Sequence, residues 1–144
     1  LTRKYIPFNI NGHHPHSLST ALCTTVLYTN DNTILPLLLE AGADPNIAEC
    51  GNGYYPLHIA MSNKDQGVCD QYIMDLVGSG ANINAMGYCK EMSLHCCVEN
   101  ECDPSTITHL LAQGANPTIQ NDKGENVFHI ALKKGLYVSS AIIL

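Results

Sequence analysis

An all-α solenoid of stacked helix-turn-helix units, joined by hairpin-like loops, is the fold class this 144-residue sequence predicts. Three observations predict it. First, the blocks TALC (20–23), YPLH (55–58), MSLH (92–95) and NVFH (126–129) carry Leu22, Leu57, Leu94 and Phe128 in third place, at separations of 35, 37 and 34 residues. Second, LLLEAGADPN (37–46), DLVGSGANIN (75–84) and HLLAQGANPT (109–118) follow in phase and place Gly42, Gly80 and Gly114 at separations of 38 and 34. Third, 45% hydrophobic and 14% charged residues suit a folded chain, while no window approaches the roughly 18 uninterrupted apolar residues of a membrane span. Two independent landmarks sharing one period read as a linear array.

The elements follow in order. Residues 1–12 (LTRKYIPFNING) fit the period poorly and read as an irregular cap or the tail of an earlier unit; four units then run over about 13–46, 47–84, 85–117 and 118–144. In the first, Thr20 can accept free backbone N–H groups at a helix start. In the second, Pro56 suits the first helical position, where its missing donor would be unpaired anyway. Ala21, Ala60 and Ala131 are small enough to let helices approach, and ILPLLL, YIMDLV and ITHLLA supply the apolar face of each second helix. Gly42, Gly80 and Gly114 allow the left-handed residue that ends a helix, and the Asp or Asn after each Gly-Ala opens a turn. The fourth unit ends on SSAIIL inside its second helix, from which more repeats or another domain are expected to follow.

These blocks closely resemble the ankyrin repeat, whose pattern runs T-P-L-H-x-A, an apolar helix, then G-A-D-x-N. The resemblance covers about residues 16–144. Against a family spacing of about 19 residues from block leucine to glycine, the intervals here are 20, 23 and 20, which predicts an insertion between the helices of the second unit (within 62–71) and a smaller one near 98–106, with Pro104 at a second-helix start. The usual capping Thr is replaced by Tyr55, Met92 and Asn126, and each loss is expected to weaken a cap by roughly 0.5–2 kcal/mol.

The resemblance implies structural roles for His58, His95 and His129, each bonding backbone and knitting adjacent loops, because a catalytic group does not recur once per repeat. It also implies a concave partner groove. The tips mapped to it are Glu49, Asn52, Tyr54, Met86, Tyr88, Glu91, Gln120, Asp122 and Glu125; the exposed first-helix positions are Ser62, Asn63, Glu99, Asn100, Lys133 and Lys134. Acids beside two tyrosines point to a protein or peptide partner carrying Lys or Arg with an apolar residue.

Other chemistry is weakly represented. A net charge of −6 with no basic stripe argues against nucleic acid. Seven cysteines in odd number and irregular spacing read as reduced thiols in an intracellular chain, cytoplasmic or nuclear. His13, His14 and His16 read as incidental loop histidines. Cys89, His95, Cys96, Cys97 and Cys102 are zinc ligands in type, but adjacent helical residues point about 100° apart, so they read as buried thiols with a zinc site only as a variant. No nucleophile elbow, paired carboxylates or phosphate loop is present, so no catalysis, no cofactor and no membrane contact are expected. The expected function is a protein-interaction scaffold or adaptor module; the alternative is a purely structural solenoid supporting a neighbouring domain.

Overall fold

A computed structural model describes residues 9–144. The part of the N-terminal cap expectation that covers residues 1–8 lies outside the described residues. Among the described residues eight α-helices pair in succession: α1 (Ala21–Tyr28) with α2 (Ile34–Glu40), α3 (Pro56–Ala60) with α4 (Gln66–Gly78), α5 (Ser93–Glu99) with α6 (Pro104–Ala112), and α7 (Val127–Lys133) with α8 (Tyr137–Ile143). No strand occurs among the described residues. The odd-numbered helices pack in series as one layer and the even-numbered helices as another, so the chain is the all-α stack its period predicts.

Each pair forms for local reasons. Thr20 caps α1 by accepting the Cys23 N–H at 3.2 Å, Pro56 and Pro104 begin α3 and α6, and Asp65 caps α4 by accepting from Gly67 and Val68. Asn126 also caps: its Oδ1 accepts the His129 N–H at 3.1 Å, so the cap expected to be lost there is present, asparagine being as good a cap as threonine. Gly42, Gly80 and Gly114 stand at φ 96°, 93° and 97°, and the following Ala43, Ala81 and Ala115 return their N–H to Leu38, Leu76 and Leu110. This closure needs a left-handed residue, and glycine adopts it without a Cβ clash.

The insertion falls within 62–71, where the spacing placed it, but it does not separate the two helices. The connection between α3 and α4 spans five residues, 61–65, the same as 29–33 in the first pair; the extra residues lengthen α4, which has 13 residues against 7 in α2. The connection 100–103 is likewise no longer than those of the first two units, and α6 has 9 residues. Apolar residues at the α4 start, with Val68, Cys69 and Tyr72 all buried, make an added helical turn more favourable than a looped-out segment. Ala21 is also out of register. Ala60 and Ala131 are fully buried three residues after the block apolar residue, a place held by Thr25 and Cys97 in the other units, whereas Ala21 is half-buried at the start of α1.

Asparagines stitch the units. Asn46 Oδ1 accepts the Asn82 N–H at 2.8 Å while its Nδ2 donates to the Gly80 carbonyl at 2.9 Å. Asn84 repeats this with Asn116 and Gly114, and Asn11 with Asp44 and Gly42. One helix end departs from the glycine rule: Glu101, at φ 55°, occupies the left-handed place after α5, and Cys102 returns its N–H to Cys97. Glu101→Gly is expected to raise the unfolding free energy by about 0.5–1 kcal/mol by relieving that conformation, net of a solvent-exposed ion pair to Lys134 that contributes little. A shift of the urea midpoint to lower concentration would count against this account.

Candidate functional site

The tips before α3, α5 and α7 are each closed by a backbone bond: Glu49 to the Tyr54 carbonyl at 3.0 Å, Gly87 to Glu91 at 2.8 Å, and Asn121 to Glu125 at 2.9 Å. Neighbouring tips are joined as well, with the Cys50 N–H donating to Leu18 and the Asp122 N–H to Cys89, both at 2.9 Å. The block histidines sit beneath them. His58 accepts the Tyr55 N–H at Nδ1 (3.3 Å), which leaves the proton on Nε2 to be donated to the Glu91 carbonyl of the next tip at 2.9 Å. His95 repeats the first bond with Met92 at 3.1 Å, and its buried Nε2 faces the Glu125 carbonyl in a geometry looser than a formed hydrogen bond. His129 takes the Asn126 N–H at 3.1 Å and is exposed. Burial holds the imidazoles of His58 and His95 below the ordinary histidine value.

A cleft of about 410 Å³ opens between the second and third tips and the ends of α1, α3 and α5. Its floor is apolar, from Leu27, Ile59 and Cys96, with His58 beneath; its rim carries Glu49, Asn52, Tyr54, Ser62, Glu91, Glu99 and Asn100. Tyr54 is fixed by its surroundings. Its hydroxyl donates to Glu91 Oε2 at 3.4 Å, its ring lies 5.5 Å from that of His58, and Gly87 leaves room for it, since a Cβ there would come within 2.8 Å of Tyr54 Cδ1. Burial, then the neighbouring Cys96 and Glu91, push the Tyr54 phenol up to about 12, and burial pushes the Cys96 thiol up to about 12. Among the described residues, Glu49 and Glu91 have no ion-pair partner.

Seven of the mapped groove residues therefore meet in one place, and the others do not. Asn63 faces a separate hollow with Lys64 and Asp65. Met86, Tyr88 and Gln120 are exposed outside the cleft. Asp122 lies 3.9 Å from Lys90, Glu125 2.7 Å from Lys133, and Lys134 3.6 Å from both Glu99 and Glu101. Ser62, Asn63, Glu99, Asn100, Lys133 and Lys134 are not mid-helix positions: they fall on the last residue of a first helix or just beyond it, because α3, α5 and α7 are only 5 to 7 residues long. Leu27, Ile59 and Cys96 were missed as lining residues. Leu27 stands five residues after its block leucine, as do Ser62 and Glu99, and that register was the signal for it.

The thiols and histidines form no metal centre: among the described residues no three His, Cys, Asp or Glu side chains are arranged to hold an ion. Cys23, Cys69, Cys96, Cys97 and Cys102 are buried, Cys50 is exposed, and Cys89 is intermediate. His13 reaches the Ala48 carbonyl at 2.8 Å, and His14 accepts from the backbone of His16 and Ser17.

Residues 52–88, which run from within the second tip through α3 and α4 into the third tip, match the family model of the ankyrin repeat. This segment is an ankyrin repeat, and the all-α stack around it has the architecture of that family. The chain is 32% identical over 123 residues to the E3 ubiquitin-protein ligase KEG of Arabidopsis thaliana, covering 81% of this chain and 7% of that protein. It is 37% identical over 100 residues to the ankyrin repeat protein L91 of Acanthamoeba polyphaga mimivirus, covering 64% of this chain and 16% of that protein. The chain thus spans a small part of the curated relatives it matches. Ankyrin repeats are in general protein-interaction modules, and no helix among the described residues is long and apolar enough to cross a membrane.

Proposed function

We propose that this ankyrin segment binds a partner protein segment carrying a Lys or Arg side chain beside an apolar residue, and that it does so in the Tyr54 cleft without performing chemistry. The observation that carries this reading is the cleft itself, in which carboxylates at Glu49 and Glu91, without ion-pair partners among the described residues, flank an apolar floor of Leu27, Ile59 and Cys96. A cationic head can meet the rim while an apolar neighbour loses water against the floor, and Tyr54 supplies a preorganised aromatic face. Activated nucleophiles are not offered there: the Cys96 thiol and the Tyr54 phenol are both held protonated at neutral pH, and both ring nitrogens of His58 bond backbone. An intracellular scaffold or adaptor setting belongs to the same reading.

The test is selection of peptides from a random displayed library, followed by titration of the winners. Enrichment of Lys or Arg is expected, and Tyr54→Ala is expected to weaken the selected peptides about tenfold or more, in the range of an aromatic anchor. Tyr88→Ala is expected to change affinity less than twofold, since Tyr88 is exposed outside the cleft. Winners depleted in basic residues, or indifferent to Tyr54→Ala, would overturn the reading.

A further inference from the structure

Three buried thiols meet beneath the connection between α5 and α6. Cys69 comes from α4, Cys97 from α5 and Cys102 from the connection itself, and their exposures are 0%, 0% and 4%. Cys97 fills the place of Ala60 and Ala131 in neighbouring units, so a thiol stands where a methyl suffices for packing. The helix-end closure carries Cys102 back onto it, with the Cys102 N–H 3.0 Å from the Cys97 carbonyl. In closures of this kind a contact between the side chains of these two positions is frequent. The thiols of Cys69 and Cys97 both lie within hydrogen-bonding reach of the Cys102 sulfur, which is also 3.4 Å from the Met61 carbonyl.

Two features make this more than filling. Hydrogen bonds from the two neighbouring thiols favour the ionised form of Cys102, holding it below the ordinary thiol value, while Cys69 and Cys97 are pushed up. Opening of the connection takes the Cys102 S–H off the Met61 carbonyl and brings Cys102, which lies in the connection itself, to the reagent first, so it is the nucleophile of the three. Its cover is thin: Asn100, Glu101 and Asp103 around it are exposed, and Glu101 holds a left-handed conformation that opening of the connection would relax.

We propose that Cys102 and Cys97 form an oxidisable dithiol that a peroxide closes to a disulfide. The Cys102 thiolate attacks hydrogen peroxide; the S–O bond forms, the O–O bond breaks, and the departing hydroxide takes a proton to leave as water. The sulfur, oxidised by two electrons, is now a sulfenic acid. The Cys97 sulfur then attacks it, the S–S bond forms, the S–O bond breaks, and a second water leaves with the Cys97 proton. Two thiols and one peroxide thus give one disulfide and two waters. Cys96, Glu99 and Asn100, which line the cleft, share the α5 end with Cys97, so the link would also alter the groove; that consequence rests on the groove reading, whereas the chemistry does not.

The experiment uses the chain with Cys50→Ser and Cys89→Ser, which removes the two cysteines that are not buried and leaves five of the seven. After peroxide, quenching, unfolding in guanidinium and alkylation with iodoacetamide, intact mass is expected to show alkylated cysteines falling from five to three, restored by dithiothreitol. Fragment spectra are expected to place the link between Cys97 and Cys102, a mapping that stands even if a single-cysteine variant fails to fold. Cys102→Ser, its fold checked by circular dichroism, is expected to keep all four of its remaining cysteines alkylatable. Five alkylatable cysteines after treatment, a link to Cys69, or equal thiol loss in Cys102→Ser would overturn the proposal.

Discussion

Replacing His58 with alanine is expected to lower the unfolding free energy by about 2–4 kcal/mol, the sum of lost packing and orphaned polar groups. The imidazole is 3% exposed, so its removal leaves a void between α3 and the next tip. It also bridges two units: without it the Tyr55 N–H at the start of α3 loses its partner, and the Glu91 carbonyl across the unit boundary keeps only its bond from Gly87. His129→Ala is the control, since that imidazole is exposed and bonds only within its own helix start, and its effect is expected to stay below about 1 kcal/mol. Urea unfolding followed by circular dichroism separates the two. Similar midpoint shifts for both variants would mean that bridging contributes nothing beyond the local cap.

The same burial sets a pH dependence. His58 and His95 are held by burial below the ordinary histidine value of 6.5, so the folded chain prefers them neutral while the unfolded chain binds protons more readily. Stability from these groups is fully present above about pH 6.5 and declines as the pH falls through that value toward their folded values. His58→Ala is expected to flatten that decline.

How much of this was legible from the sequence depends on which physics each feature reports. The period, the helix-stopping glycines and the histidine register were legible because each unit must solve the same local problem of starting a helix, ending it and stacking on a copy of itself. The α4 extension was not, since a count from Leu57 to Gly80 registers extra residues without saying whether they extend a helix or loop out; the burial of Val68, Cys69 and Tyr72 decides that in three dimensions. The cleft was half legible. Glu49, Tyr54 and Glu91 follow from the tip register, but the withdrawal of Asp122, Glu125 and Lys134 into ion pairs depends on side-chain reach between elements. The thiol cluster was read only as soft core because Cys69 and Cys97, 28 residues apart in different units, meet through the stack rather than through any motif.

Reversing the charge of the cleft is expected to have the largest effect on recognition: Glu49→Lys with Glu91→Lys should weaken a selected basic peptide by about 100-fold or more, as attraction at both rims turns to repulsion. Neither carboxylate has a basic partner among the described residues, so neither substitution breaks an internal ion pair, and both positions lie in tips whose closing bonds are made by backbone. Glu91→Lys does remove the acceptor of the Tyr54 hydroxyl, so Glu91→Gln, which keeps an acceptor and drops the charge, apportions the loss between electrostatics and ring positioning. Glu40→Lys on α2, exposed and away from the cleft, reverses one charge, half the change of the pair, without touching the rim and is expected to change affinity less than about threefold. Raising the salt from about 50 to about 500 mM should weaken wild-type binding and narrow the gap between the wild type and the double reversal, because rim charges are screened while burial on Leu27 and Ile59 is not. Equal loss from Glu40→Lys would reduce the effect to net charge, and an unchanged affinity in the double reversal would leave the apolar floor as the whole of the site.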